Sequence, residues 1–245
     1  MKTAAGRTAT SSNAARPRVS VVMPVLNEER RIVRALDSVF AVASVHEVIV
    51  VDGGSTDATA DLVRARSRAT LICAERGRAR QMNAGAGAAG GDVLLFLHAD
   101  VTLPSDAVSW VESALRDPAI VAGAFRTWTV ADDGEAPIWA PLLHLADLRS
   151  RYTGLPYGDQ ALFVRAAVFQ RLGGFPDQPL MEDLELSRRL RAVGSVVTVP
   201  ASVRVSGRRF LARPVYDTFL VNVFPLLYRM GIPPRVLANF YGNTR

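Results

Sequence analysis

The sequence contains a single cysteine and lacks any long hydrophobic run. Cys73 is the only cysteine among 245 residues, so no disulfide can form within the chain and we expect a reducing compartment. No segment reaches the roughly 18 consecutive apolar residues that a membrane-spanning helix needs. Residues 1–16 are small, polar and basic without an apolar core, which predicts a disordered tail and not a secretory signal.

Aromatic residues make up only 7% of the chain, and no stripe combines them with basic residues. The arginines are scattered among acids, so nucleic acid is not a predicted partner. The net charge of +6 suits anionic substrates such as phosphates, and it suits an anionic membrane surface equally well. With 49% hydrophobic and 21% charged residues, the composition is that of an ordinary globular protein with ample core.

One apolar run, Val93 to Leu97, reads as a strand that is buried on both faces. Glycines precede it, Pro104 follows it, and Asp100 comes just past its end. Ligands of open α/β sheets bind outside the carboxyl ends of the strands, so this position favours a ligand-binding role for Asp100. A turn-forming aspartate is the simpler alternative.

The first predicted strand, Val19 to Met23, is closed by Pro24. We expect Asn27 to cap a helix that carries Glu28 and Glu29 in its first turn, where acids favour the positive helix end. Capping alone would account for these three polar residues. They therefore do not indicate a ligand by themselves.

A second strand, Glu47 to Val51, ends in Asp52 and two glycines. Gly53 and its neighbour allow a ligand to approach the backbone closely, and Ser55 or Thr56 is the expected cap of the next helix. Asp52 and Asp100 thus place acids at the carboxyl ends of two parallel-type strands.

The third predicted strand, Ala69 to Ala74, leads into a group of arginines where a helix should begin. Arg76, Arg78 and Arg80 offer guanidinium groups and a helix N-terminus to a diphosphate, although a solvated basic loop would look the same. Residues 85–90 spell a dinucleotide-binding glycine pattern, but they end a helix and precede a strand. That order excludes the dinucleotide motif.

Taken in order, four motifs resemble the family-2 glycosyltransferases of the GT-A fold, from about Arg18 to Arg209. They are Val-Val-Met-Pro-x-x-Asn-Glu-Glu, Val-Ile-Val-Val-Asp-Gly-Gly-Ser-Thr-Asp, Gly-Arg-Ala-Arg-Gln-Met-Asn-Ala-Gly and Phe-Leu-His-Ala-Asp. The resemblance implies a single α/β domain over residues 17–210, with a mostly parallel central sheet flanked by helices.

The resemblance also implies a nucleoside-diphosphate sugar as donor, with uridine as the expected base. Residues Pro24 to Glu28 and Asp52 would surround the base and ribose. The full set of donor-binding residues implied in this way is Pro24, Asn27, Glu28, Asp52, Gly53, Arg78, Asn83, His98, Ala99, Asp100, Arg208 and Arg209.

The Asp-x-Asp element of the family binds a divalent metal, and here it departs from the pattern. Its place is taken by His98-Ala99-Asp100, which leaves Asp100 as the expected ligand of Mn²⁺ or Mg²⁺. His98 is open to three roles: a metal ligand as neutral imidazole, a hydrogen-bonding partner of the donor, or a plain structural histidine.

Gly158, Asp159 and Gln160 precede an apolar run and resemble the family segment that lines the donor sugar and the acceptor. Glu182 is assigned to the same acceptor side.

The stretch from Met181 to Leu190 is predicted to be a helix. At 3.6 residues per turn, Asp183 shares a face with three apolar residues, namely Leu186, Leu190 and Val193. Glu182 is expected on the solvent face, with Glu185 and Arg189. The resemblance makes Asp183 the general base of an inverting transfer, whereas the simpler alternative is an acid that favours the helix dipole.

Residues 211–245 are predicted to form an apolar helical appendage, and Pro225 should kink or break its helix. We expect residues 214–241 either to lie on a membrane surface and present a lipid-like acceptor, or to pack against the catalytic domain or a second copy of the chain. A cytoplasmic protein, peripheral on the inner face of the cell membrane, would fit the first possibility.

The predicted reaction is an inverting transfer of a sugar to an acceptor hydroxyl or carboxylate. A sugar-1-phosphate nucleotidyltransferase is one alternative, but it should carry a Gly-x-Gly-Thr-Arg loop where this chain has Pro-Val-Leu-Asn-Glu. A non-catalytic module that binds sugar nucleotides or docks on membranes is the other alternative.

Overall fold

The computed structural model describes residues 16–130, 147, 155–207 and 214–241. The predicted tail therefore lies outside the described residues except for Arg16, and so do Arg208 and Arg209.

The described residues form an eight-stranded sheet in the order β3-β2-β1-β4-β7-β6-β8-β5. Strands β1 to β4 run parallel, β7 pairs antiparallel with both β4 and β6, and β8 runs parallel to β6. The strands are β1 (Val19–Val25), β2 (Val45–Asp52), β3 (Ala69–Cys73), β4 (Val93–Phe96), β5 (Val101–Thr102), β6 (Ile120–Val130), β7 (Phe163–Arg165) and β8 (Ser195–Ser206).

Helices cover both faces of this sheet, because β1, β2 and β4 are apolar on both sides and bury a core on each. Described in chain order, they are α1 (Ile32–Phe40), α2 (Thr59–Arg64), α3 (Arg78–Ala88), α4 (Ala107–Ala114), α5 (Ala166–Arg171), α6 (Glu182–Val193), α7 (Pro214–Arg229) and α8 (Pro234–Tyr241), with a 3₁₀ turn at Gly158–Gln160.

The register of the parallel strands brings their carboxyl ends to one edge. Asp52, the last residue of β2, lies opposite Val25 at the end of β1 and opposite Cys73 at the end of β3. This alignment gathers the loops that follow the strands, as expected for a sheet that binds a ligand at this edge.

The segment after β1 differs from the prediction. Helix α1 begins at Ile32, so Asn27 does not cap it, and Asn27 adopts a left-handed backbone with φ of 55°. Its side-chain oxygen accepts a hydrogen bond from the Thr56 amide at 2.8 Å, and its own amide donates to the Ser55 hydroxyl at 2.9 Å. The polar residues cross-link two neighbouring loops because those loops meet at the same sheet edge.

The predicted cap of α2 is also wrong. Helix α2 begins at Thr59, so Ser55 and Thr56 lie before it and serve the cross-link to Asn27 instead. A carboxylate oxygen of Asp57 accepts the Thr59 amide at 3.0 Å and takes the place of a capping hydroxyl.

Strand β8 is continuous from Ser195 to Ser206. It contains Pro200, which cannot donate to a neighbouring strand. The pairing with β6 shifts register between Ala124 and Arg126, opposite this part of β8. The irregularity accommodates the proline without ending the strand.

Helix α7 runs through Pro225, where a kink or break was predicted. Its inner side is held by a small apolar cluster of four buried side chains: Leu180, Leu220, Phe224 and Leu237. The cluster joins α7 and α8 to the loop before α6, and this packing supports a helix that proline alone would weaken. Among the described residues, no helix combines the length and apolar character needed to cross a membrane.

Candidate functional site

A cleft of about 880 Å³ opens at the carboxyl edge of the sheet. Its walls come from the end of β1, the start of α3, the turn after β4, the loop before α6, and helix α8. The residues that line it are Pro24, Val25, Leu26, Glu28, Arg76, Gly77, Arg78, Ala79, Arg80, Gln81, His98, Ala99, Asp100, Asp177, Gln178, Pro179, Leu180, Glu182, Arg235 and Ala238.

The floor of the cleft is braced by Gln81, a residue to which the sequence motifs assign no role. Its amide nitrogen donates to the carbonyl oxygens of Val25 and Val51, both at 2.8 Å. Because these residues lie at the ends of β1 and β2, one buried side chain fixes the spacing of both strand ends. A polar residue on the buried face of α3 was the signal available in the sequence.

Asp52 and Gly53 lie beside the cleft and not in its lining. The buried Asp52 carboxylate accepts hydrogen bonds from the amides of Gly54 at 3.3 Å and Ser55 at 3.1 Å. The Gly53 amide donates to the carbonyl oxygen of Val25 at 3.0 Å. These contacts shape the loop after β2 next to Pro24 and Glu28, which do line the cleft.

Arg78 and Arg80, at the start of α3, are engaged by acids from neighbouring segments. Arg80 contacts both oxygens of Asp177, at 3.0 Å and 2.9 Å, and also Glu75 at 2.8 Å. This hydrogen bonding holds the pKa of the Asp177 carboxyl below its usual value. Arg78 pairs with Glu182 at 3.4 Å. The two pairs join opposite walls of the cleft.

Glu182 is buried, with 2% of its surface exposed, so its predicted place on the solvent face of α6 is wrong. Residues 182, 186 and 190 recur every fourth position and point inward, whereas Val193 is exposed. The Arg78 guanidinium makes this burial tolerable, because a charge removed from water needs a partner of opposite sign.

Asn83 also lies outside the cleft lining and clamps the loop before α6. Its side-chain oxygen accepts the Phe175 amide at 2.9 Å, and its side-chain nitrogen donates to the Phe175 carbonyl at 2.8 Å. Both polar ends of the side chain are thereby satisfied by one residue.

The predicted base, Asp183, is half-buried in the first turn of α6. One carboxylate oxygen accepts the Gly158 amide at 2.6 Å, and the other accepts the Leu184 amide at 2.7 Å. These two hydrogen bonds fix the orientation of the carboxylate.

Gly158 is wedged between Asp183 and His98. A Cβ atom built on Gly158 would lie 2.9 Å from Nε2 of His98 and 3.2 Å from Oδ2 of Asp183. The buried His98 imidazole and the Asp183 carboxylate thus flank the same position, and any larger residue would displace one of them.

The neighbouring turn is rigidly held by Gln160, which is buried. Its oxygen accepts the Tyr157 amide at 2.9 Å, and its nitrogen donates to the Phe125 carbonyl at 3.0 Å. Asp159 is half-buried in the same 3₁₀ turn. Gln160 supports the turn, and Gly158 forms its contact with Asp183.

Asp100 lines the cleft from a tight turn in which the Val101 amide donates to the His98 carbonyl at 3.0 Å. In the part of the chain that the structure describes, no three His, Cys, Asp or Glu side chains cluster as a metal site would require. The residues present still fit Mg²⁺ or Mn²⁺, because such ions in nucleotide sites are often held by one or two carboxylates together with substrate phosphates and water.

A comparison with known families decides where this chain belongs. The model of glycosyl transferase family 2 matches residues 20–173. The chain belongs to this family. The resemblance inferred from the four sequence motifs is thereby confirmed, and so is the assignment of the chain as a family-2 glycosyltransferase.

One curated relative is the probable glycosyltransferase YdaM of Bacillus subtilis (strain 168). It is 25% identical over 205 residues, which cover 73% of this chain and 47% of the relative. The chain thus spans about half the length of that glycosyltransferase.

Solved glycosyltransferase structures share the fold. Staphylococcus aureus TarS (1–349) superposes with a TM-score of 0.61 at 18% identity, over 83% of this chain and 64% of that one. The mannosyltransferase PcManGT of Pyrobaculum calidifontis, in complex with GDP-Man and Mn²⁺, gives a TM-score of 0.64 at 22% identity. The match covers 94% of this chain and 71% of the mannosyltransferase. The GT-A fold class predicted from the sequence is confirmed.

Proposed function

We propose that this glycosyltransferase transfers a sugar from a nucleoside-diphosphate sugar to an acceptor hydroxyl or carboxylate, with inversion at the anomeric carbon. The observation that carries the proposal is the position of Asp183: its carboxylate is held by two amides beside a cleft whose other wall carries arginines. Uridine is the expected base. TarS has been solved with UDP and with UDP-GlcNAc, whereas the mannosyltransferase was solved with GDP-Man.

Asp183 acts as the general base in this scheme. The acceptor oxygen attacks the anomeric carbon from the face opposite the diphosphate, and Asp183 takes the hydroxyl proton. The bond from the anomeric carbon to the diphosphate oxygen breaks, and its electron pair leaves with the nucleoside diphosphate. The amides of Gly158 and Leu184 keep the carboxylate in position for this proton transfer.

Charge develops on the departing diphosphate, and the start of α3 faces it across the cleft. Arg76 and Arg78 line that wall, and the N-terminus of α3 adds its positive dipole end. Arg208 and Arg209 remain candidates for the same role and lie outside the described residues.

Asp100 would hold Mn²⁺ or Mg²⁺, with His98 and Ala99 in the same turn lining the cleft. Such an ion, when bound, neutralises phosphate charge and lowers the cost of separating the leaving group. GT-A glycosyltransferases commonly use divalent metals, and the mannosyltransferase was solved with Mn²⁺.

A lipid-like acceptor at an anionic membrane surface would explain why apolar side chains are exposed on the outer side of α7 and α8 and in the turn between them. Leu226, Met230 and Val236 are exposed there by 57%, 72% and 44%. Arg229 accompanies them and complements anionic lipid headgroups. The protein would then work in the cytoplasm, peripheral on the inner face of the cell membrane.

Liposome flotation tests this membrane role. The double variant Leu226→Ser/Met230→Ser should lose binding to vesicles that contain anionic phosphatidylglycerol, whereas Val193→Ser, an exposed apolar residue on α6, should not. Equal flotation of all three proteins would contradict the membrane proposal. Concentration-dependent dimers that only the double variant loses would assign this surface to a second copy of the chain.

Release of free nucleoside diphosphate from a panel of UDP-sugars and GDP-sugars tests the reaction itself. We expect release with one donor class, loss of most activity in EDTA, and recovery with Mn²⁺ or Mg²⁺. Asp100→Asn should require more metal for the same rate. A nucleotidyltransferase would instead form pyrophosphate from a nucleoside triphosphate and a sugar phosphate, and a binding module would form no product. Family membership favours the first outcome.

A further inference from the structure

Helix α8 belongs to the far end of the chain, yet it forms part of the cleft. Arg235 and Ala238 both line the cleft, and their spacing of three residues puts them on one face of the helix. Leu237 faces a different direction and is buried against Leu180 and Phe224. Leu180 itself lines the cleft, so the apolar cluster that anchors α8 also fixes its distance from the site.

Several charged residues in the lining of the cleft are already engaged by a partner of opposite sign. Arg80 is engaged by Asp177, and Arg78 by Glu182. The acid Glu28 pairs with Arg31 at 3.4 Å. Each of these contacts neutralises charge within the wall and leaves less of it for a ligand.

Two lining arginines differ from the others. Within the described ranges, Arg76 and Arg235 have no carboxylate within 4.0 Å, and both are exposed at the cleft. Asp100 is the lining carboxylate that no described cation pairs with. Two available arginines against one carboxylate leave the cleft with positive charge for an anionic ligand.

We propose that Arg235 binds the diphosphate of the donor, so that α8 is a working part of the active site. The proposal rests on the proposed transfer from a nucleoside-diphosphate sugar. A guanidinium presents parallel N–H donors that match phosphate oxygens, and it keeps its charge at every physiological pH. Arg235 would face the phosphates from the wall opposite the start of α3.

Calorimetric titration of Arg235→Gln tests the proposal, with Arg229→Gln as the matched control. Arg229 is an exposed arginine at the end of α7 that does not line the cleft. The probes are UDP, GDP, UMP and GMP, each with Mn²⁺ and with EDTA. For the diphosphate that the wild-type protein binds, we expect Arg235→Gln to weaken affinity about 10-fold, the usual scale for one charged hydrogen bond.

Arg235→Gln should weaken binding of the matching nucleoside monophosphate much less, because that ligand lacks the terminal phosphate. Arg235→Lys should give an intermediate loss, since it keeps the charge but not the paired donors. Added salt should narrow the difference between wild-type protein and Arg235→Gln. For each variant, a midpoint of thermal unfolding equal to that of the wild-type protein would show that the structural change is local.

The possible failures are distinct. If the wild-type protein binds neither UDP nor GDP, the proposed function is wrong and the role of Arg235 is wrong with it. If the wild-type protein binds one of them and Arg235→Gln matches Arg229→Gln, only the role of Arg235 is overturned. Equal losses for the diphosphate and the monophosphate would also overturn it.

Discussion

The amide nitrogen of Gly158 donates a 2.6 Å hydrogen bond to Oδ2 of Asp183. Through this bond the turn before β7 and the first turn of α6 behave as one unit, although 25 residues separate the partners. A change in either element moves the Asp183 carboxylate. The first two predictions test the two ends of this contact.

Asp183→Asn should preserve the fold and bind the nucleoside diphosphate nearly as well as the wild-type protein. Its turnover should fall about 100-fold or more, because an amide cannot accept the acceptor proton. Assays of nucleoside diphosphate release measure turnover, and calorimetry measures binding of the nucleoside diphosphate, so the two effects are separated. Glu185→Gln on the same helix is the control and should keep most activity. Near-wild-type turnover of Asp183→Asn would remove Asp183 from the mechanism.

Gly158→Ala should lower turnover strongly while changing stability less. The added methyl group would lie 2.9 Å from Nε2 of His98 and 3.2 Å from Oδ2 of Asp183, so the turn or the two side chains must shift. A displacement of about 1 Å in a reacting group can cost roughly 100-fold in rate. Gly87→Ala is the matched control, since a methyl group added there would meet nothing within 4 Å. Equal activity of both variants would argue against a tight contact at Gly158.

Arg78→Met and Glu182→Gln should each destabilise the protein by about 1–3 kcal/mol, because each removes one member of a largely buried ion pair. The double variant should cost less than the sum of the two single changes. Urea unfolding at neutral pH measures all four proteins of this cycle. Strict additivity would show that the 3.4 Å pair does not couple the two walls energetically.

Glu185 makes stability depend on pH in a defined direction. Hydrogen bonds from Arg188, together with Arg189, lower the pKa of Glu185 from 4.5 to about 2. A depressed folded-state pKa adds stability above the unfolded value, and that stability is lost as the pH falls from about 4.5 towards about 2. The gain at neutral pH is modest because Arg188 is exposed to solvent.

Glu185→Gln removes this titration. The stability difference between wild-type protein and the variant should therefore shrink when urea unfolding is repeated from pH 6 down to about pH 3. Raising the salt concentration at pH 6 should shrink it too. A difference that stays constant over this pH range would show that Glu185 titrates normally.

The sheet and the strand-end acids could be predicted because their signals are local. Apolar runs bounded by glycine and proline mark the buried strands, and the residues after each run must meet at one edge of a parallel sheet. These signals predict Asp52 and Asp100 at this edge. Both lie at strand ends in the structure, with Asp100 in the cleft and Asp52 bonded into the loop beside it.

Contacts between residues that are far apart in the sequence leave no signal in the local sequence pattern. Helical periodicity alone put Glu182 in solvent, since nothing near it in sequence reveals that Arg78 lies against it. The sequence pattern predicts Asn27 as a helix cap. Its actual partner, Thr56, follows a different strand, and nothing near Asn27 in the sequence reveals that contact. Arg235 went unassigned for the same reason: only the packing of Leu237 against Leu180 brings it to the cleft.

The loop before α6 is fastened to α3 twice, by the paired hydrogen bonds of Asn83 with Phe175 and by the contacts of Arg80 with Asp177. Both attachments are made between groups of the protein itself. This wall is therefore preorganised, and little conformational entropy remains to be lost there when a ligand arrives. A cleft built in this way favours ligands that match its existing shape over ligands that require it to rearrange.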